Sequence, residues 1–183
     1  KYNCYSESMI EEIGELIKRA PMTMNEADGG AYPGAMIDIT LNVICKIGFS
    51  LNEKVFGKND KNVISYPALY VNNNVLLRSL LIMNISKSVT YVVNQNEWSR
   101  KNGKIYEFNP DVKTTLKLGQ RCLYMCNKYG ITLSEEEFEA ITSLDKDDNK
   151  NSPFLNPLSI ILDFVRSISL CKIKQEQKQL ENR

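Results

Sequence analysis

The chain has 183 residues, 23 basic against 22 acidic side chains for a formal net charge of +1, 43% apolar and 25% charged residues, five cysteines and no histidine. This is the composition of a globular chain long enough to hold a core, and the balanced charge argues against the broad basic face on which nucleic-acid binding rests. The missing histidine excludes a Ser-His-Asp triad, a Cys-His pair, a histidine general base and every histidine-ligated metal site.

In chain order, Ser8 with Glu11 three residues on reads as a capping box, followed by Ile10, Ile13, Leu16 and Ile17 at helical spacing, with Pro21 ending the helix. A turn-rich stretch from Asp28 to Gly34 leads into Met36, Ile37, Ile39, Leu41, Val43, Ile44 and Ile47, apolar on more than one face, which predicts a buried second helix. After a polar loop from Asn52 to Asn62, the apolar run Val75 to Ile85 is too long for a strand and predicts a central helix. Alternation at Val89, Tyr91 and Val93, the turn signal Asn102-Gly103 and alternation again at Ile105 to Phe108 predict a hairpin. Asn109-Pro110-Asp111 then opens a helix through Leu116, Leu123 and Met125 to a glycine stop at Gly130. Ser134 and Glu137 form a capping box for a short helix to about Leu144, and Asn156-Pro157 opens the last helix, which gives way to a polar tail from about Lys174. The whole is one all-α domain spanning 1–183 with an inserted hairpin.

Cys4, Cys45, Cys122, Cys126 and Cys171 are odd in number and include no Cys-x-x-Cys pair, which reads as reduced thiols in a cytoplasm. No apolar run of roughly 20 residues suggests a membrane span, no signal segment is visible, and the start at Lys1 reads as trimmed. Asp145, Asp147 and Asn149 have the one-three-five spacing of a calcium loop, but Lys150 replaces the glycine and Asn156 the closing glutamate, leaving a solvated loop. Asn84-Ile85-Ser86 is a glycosylation sequon inside an apolar run, a chance match. Cys122 and Cys126 are one helical turn apart, half of a metal site with nothing to complete it, and therefore core. Glu135, Glu136, Glu137 and Glu139 complement a helix N-terminus. Trp98 beside Arg100, Lys101 and Lys104 has the makings of a base-stacking platform.

The string Gly30-Ala31-Tyr32-Pro33-Gly34-Ala35-Met36-Ile37-Asp38-Ile39-Thr40-Leu41-Asn42-Val43 and the helix Leu81-Ile82-Met83-Asn84-Ile85-Ser86-Lys87 together resemble a bacterial branch of the HD-domain metal-dependent phosphohydrolases. The resemblance runs from about Ser8 to about Ile173 and implies an HD-like helical bundle. It sets Ile39 where a metal-binding histidine would stand, and Met83-Asn84 in place of the His-Asp doublet. The third and fourth histidines would fall at Leu118 and Leu144, and the closing aspartate at Arg166. All six positions depart from the functional type, while Asp38 and Lys87 would be polar remnants of the pocket.

Apolar side chains at Ile39, Met83, Leu118 and Leu144 would each contribute ~1.5 to 3 kcal/mol if fully buried, whereas unpaired histidines and carboxylates would be costly to bury. These four residues are therefore expected close together and largely buried, as a site filled in. The resemblance implies a pseudoenzyme with no catalytic residue, metal or cofactor, serving as a structural module or binding a protein partner or small ligand; the membrane is not involved and nucleic acid is unsupported. The rival readings are a hydrolase without histidine, drawing on Asp38, Lys87, Asp163 and Cys122, and nucleotide or RNA binding at Trp98.

Overall fold

The computed structural model describes residues 5–55, 69–145 and 156–181. Among them the chain is helical apart from one two-stranded ribbon, so the all-α class holds.

Helix α1 (Glu7–Arg19) buries Met9, Ile13 and Ile17, a four-residue repeat that forms one apolar stripe, and leaves Ile10 and Leu16 exposed. Its cap is Ser6 rather than Ser8: the Ser6 hydroxyl accepts the Met9 amide at 3.3 Å, and Ser8 lies inside the helix. The second apolar segment is one continuous helix, Ala35–Lys54, formed by α2 (Ala35–Ile39), a wide π turn (Thr40–Ile44) and α3 (Cys45–Lys54). By length and composition this helix could cross a membrane, contrary to the expectation from the apolar run; Ala35, Met36, Ile39, Ile44 and Cys45 face the core, which is reason enough for its apolarity. Asn52, expected in a polar loop, belongs to α3 and is fully buried.

The central helix α4 (Asn73–Ile82) carries Leu76 and Leu80 into one apolar cluster with Ile161, Leu162 and Val165, while Ile82 faces a second with Met9, Ile13, Cys122 and Ile141. It therefore joins the two halves of the core. It ends three residues before Ile85, and a turn leads to the short α5 (Lys87–Thr90). Strands β1 (Tyr91–Val93) and β2 (Tyr106–Phe108) pair antiparallel with Tyr91 opposite Phe108. Between them lies α6 (Glu97–Lys101), so Asn102-Gly103 terminates a helix, with the Gly103 amide on the Arg100 carbonyl at 3.0 Å, and does not form a hairpin tip.

The next helix, α7 (Leu118–Lys128), starts later than Asn109-Pro110 suggests. The Asn109 side chain accepts the Asp111 amide at 3.0 Å, forming a local turn, and residues 112–117 take no regular structure. The capping box of α8 (Glu135–Ser143) is formed as its sequence dictates, and Asn156 caps α9 (Pro157–Glu181) through the Leu158 amide at 3.0 Å. Helix α9 continues through the segment expected to be a polar tail. Ile173 packs so closely on Gly29 that a Cβ there would sit 2.4 Å from its Cγ2, and Lys174 pairs with Asp28 at 3.0 Å.

Candidate functional site

The turn after α4 is held by the Ile85 amide on the Ile82 carbonyl at 2.9 Å and the Lys87 amide on the Asn84 carbonyl at 3.0 Å. It delivers Met83, Asn84 and Lys87 to one wall of a cavity of about 230 Å³, whose other walls include Leu118 at the start of α7 and Arg166 and Ser169 on α9. Four of the six positions singled out by the resemblance thus line one space. Ile39 belongs with Met83 to one buried cluster, against which Leu144 packs. A wider cavity of about 700 Å³ shares Leu118 and Arg166 and adds Leu144, Lys117, Arg121 and Asp145.

Burial divides these residues. Ile39 and Met83 are each 6% exposed and Asn84 8%, but Leu118 and Leu144 are only half-buried and Arg166 is exposed. The expectation of a site wholly converted to core therefore fails at Leu118 and Leu144. Ile39 and Met83 fill part of the space, and the side chains at the start of α7 and on α9 leave the rest open.

The smaller cavity is cationic. Lys87 Nζ donates to the Met22 carbonyl at 2.9 Å and lies 3.0 Å from Met22 Sδ. Burial lowers the Lys87 pKa to about 8, and the Arg166 guanidinium lowers it further against a small opposing effect of Cys122. Arg166 Nη1 donates to the Leu144 carbonyl at 2.6 Å. The only carboxylate on the cavity wall is Asp28, which is paired with Lys174. Tyr91 contributes a phenol whose pKa is raised by burial, with Arg166 acting the other way. Asn84 Nδ2 and Ser169 Oγ are buried and have no hydrogen-bond partner among the described residues. Ser169 went unnoticed in the sequence, although its place three residues after Arg166 puts both on one face of a helix.

The groups nominated for non-histidine catalysis do not assemble. Asp38 is exposed, engaged by the Tyr32 hydroxyl at 2.5 Å and Asn42 Nδ2 at 2.7 Å, and lines neither cavity. Asp163 is exposed on α9. Cys122 is fully buried, its thiol directed to the Met83 carbonyl at 3.4 Å and its pKa pushed up by burial, which disfavours the thiolate. Among the described residues no group of three His, Cys, Asp or Glu side chains could hold a metal ion. Cys45, Cys122 and Cys126 are buried free thiols and Cys171 an exposed one; Cys4 lies outside the described residues.

Trp98 is 73% exposed on α6, but its flanking cations are engaged: Lys101 pairs with Glu97 at 2.8 Å and Arg100 Nη1 donates to the Asn94 carbonyl at 2.6 Å. Of the calcium-like loop, Asp147, Asn149 and Lys150 lie outside the described residues, while Asp145 and Asn156 serve as helix caps. Comparison of the chain with family models, with curated proteins and with solved structures gives no match in any of the three.

Proposed function

We propose that this chain is a degenerate HD-like domain that performs no metal-dependent hydrolysis and serves in the cytoplasm as a binding module. The observation that supports this reading is the convergence of Met83, Asn84, Leu118 and Arg166, drawn from three separate segments, on one cavity. Their side chains offer a thioether, an amide, an alkyl group and a guanidinium, a poor donor set for a divalent ion, which needs imidazole, thiolate or carboxylate ligands. The cavity retains polar and cationic groups suited to holding a ligand, and lacks a placed nucleophile or general base.

The test is elemental analysis of protein purified without immobilised metal, with assays on phosphomonoesters and phosphodiesters in the presence of manganese or iron. The expected result is no stoichiometric metal and no turnover above the protein-free control. One metal ion retained per chain on dialysis, together with turnover, overturns the reading.

A further inference from the structure

Two cationic side chains line a small cavity whose one carboxylate is already paired, and two buried polar side chains on the same wall have nothing to bind. Asn84 is 8% and Ser169 2% exposed, so the desolvation of Asn84 Nδ2 and Ser169 Oγ is uncompensated within the protein. Lys87 meets a carbonyl and a thioether, not a counter-charge, and Arg166 spends one donor on the Leu144 carbonyl. A guanidinium has five donors, so most of its capacity remains. An anion with several acceptor oxygens would satisfy all four residues together.

Size and lining narrow the ligand. At about 230 Å³ the cavity is smaller than a typical small-molecule pocket of about 300 to 1,000 Å³, equal to the liquid volume of about eight waters. Met83, Leu118 and Ile173 supply apolar walls beside the polar ones. We infer that the cavity binds a small organic oxyanion, a carboxylate or phosphoryl group on a short apolar body, with Lys87, Arg166, Asn84 and Ser169 holding the anionic end. The inference rests on the binding-module reading and specifies its ligand.

Melting temperatures of the full chain are measured in acetate, butyrate, succinate, inorganic phosphate and glycerol phosphate, each against chloride at matched ionic strength. At least one oxyanion gives a saturable rise that chloride does not, and the probe that does so separates carboxylate from phosphoryl ligands. In Lys87→Met the apparent affinity falls roughly ten- to hundredfold. Ser169 Oγ has no protein partner to lose, so Ser169→Ala melts like the parent without ligand yet binds more weakly; this variant carries the test where Lys87→Met does not fold. No rise beyond chloride at about 10 mM of every probe, or a rise undiminished in both variants, overturns the site. Phosphohydrolase turnover would sink the non-catalytic reading and leave the anion site standing, whereas an inert protein indifferent to oxyanions does the reverse.

Discussion

The carboxylate of Asp145 lies across the first turn of α7, where Oδ1 accepts the Gly119 amide at 3.0 Å and Oδ2 the Gln120 amide at 2.8 Å. A residue just beyond α8 thus caps a helix that began 27 positions earlier in the chain, and the carboxylate complements the positive end of the helix dipole. Gly119 makes the approach possible, since a Cβ there would stand 2.6 Å from the Ile141 carbonyl oxygen and 2.7 Å from Asp145 Oδ2. Asp145→Ala is expected to lower stability by about 1 to 2 kcal/mol and Gly119→Ala by about 1 to 3 kcal/mol. Because both disrupt one junction, the double variant loses less than the sum. Denaturant unfolding of the four proteins checks this, and strict additivity would mean that the two sites are not coupled.

Asn52 is fully buried and clasps the backbone of Val71, donating to its carbonyl at 2.7 Å and accepting its amide at 3.0 Å. Asn52→Leu keeps the volume but leaves both Val71 groups without partners. A loss of about 2 to 4 kcal/mol is expected, visible as a fall in melting temperature of several degrees in a chain of this size. A variant that melts like the parent would show that water replaces the amide.

Lys87 makes stability depend on alkaline pH. Its folded value of about 8 lies below the ordinary 10.5, so between these values the unfolded chain binds the proton more readily and stability rises with pH. The rise amounts to about 3 kcal/mol over the window. Its local causes are burial and Arg166 on α9, opposed by Cys122 on α7. Other groups titrate in this range, so the measured quantity is the difference between the parent and Lys87→Met. The parent gains on the variant as pH rises from about 7 to about 10; a constant difference would show that Lys87 titrates normally.

Leu118 is half-buried and borders both cavities. Leu118→His therefore costs about 1 kcal/mol or less, below the penalty for an imidazole sealed in a core. It restores no hydrolysis, since an activated water needs several ligands and an open position on the metal acting together. Thermal melts and manganese-supplemented phosphatase assays check the two halves, and turnover by this single variant would reveal a metal site that Leu118 alone had blocked.

Local signals were legible in the sequence. Ser134 with Glu137, and Asn156 with Pro157, set their helices where they stand because each cap is completed within three residues. Long-range partners were not. The start of α7 depends on Asp145, and the persistence of α9 depends on Ile173 against Gly29 and Lys174 against Asp28, contacts with no local signature. Asn102-Gly103 was recognised as a turn, but its role changed because α6 intervenes between the strands. For the candidate site, Met83, Asn84, Lys87 and Arg166 came from the resemblance, whereas Ser169 became meaningful only once helix α9 was packed beside the turn after α4.

The wide turn at Thr40–Ile44 places one residue more in the helix than a regular α-helical count would hold, with the Cys45 amide reaching back to the Thr40 carbonyl. Before it the core-facing residues are Ala35, Met36 and Ile39; after it they are Cys45, Gly48 and Asn52. The turn is thus a phase correction between two halves of one rod. Deleting any single residue within it would restore an unbroken α-helical ladder, yet would rotate everything downstream by about 100° and swing Asn52 away from Val71. The length of the chain at this point, as much as any side chain in it, keeps both halves facing the same core.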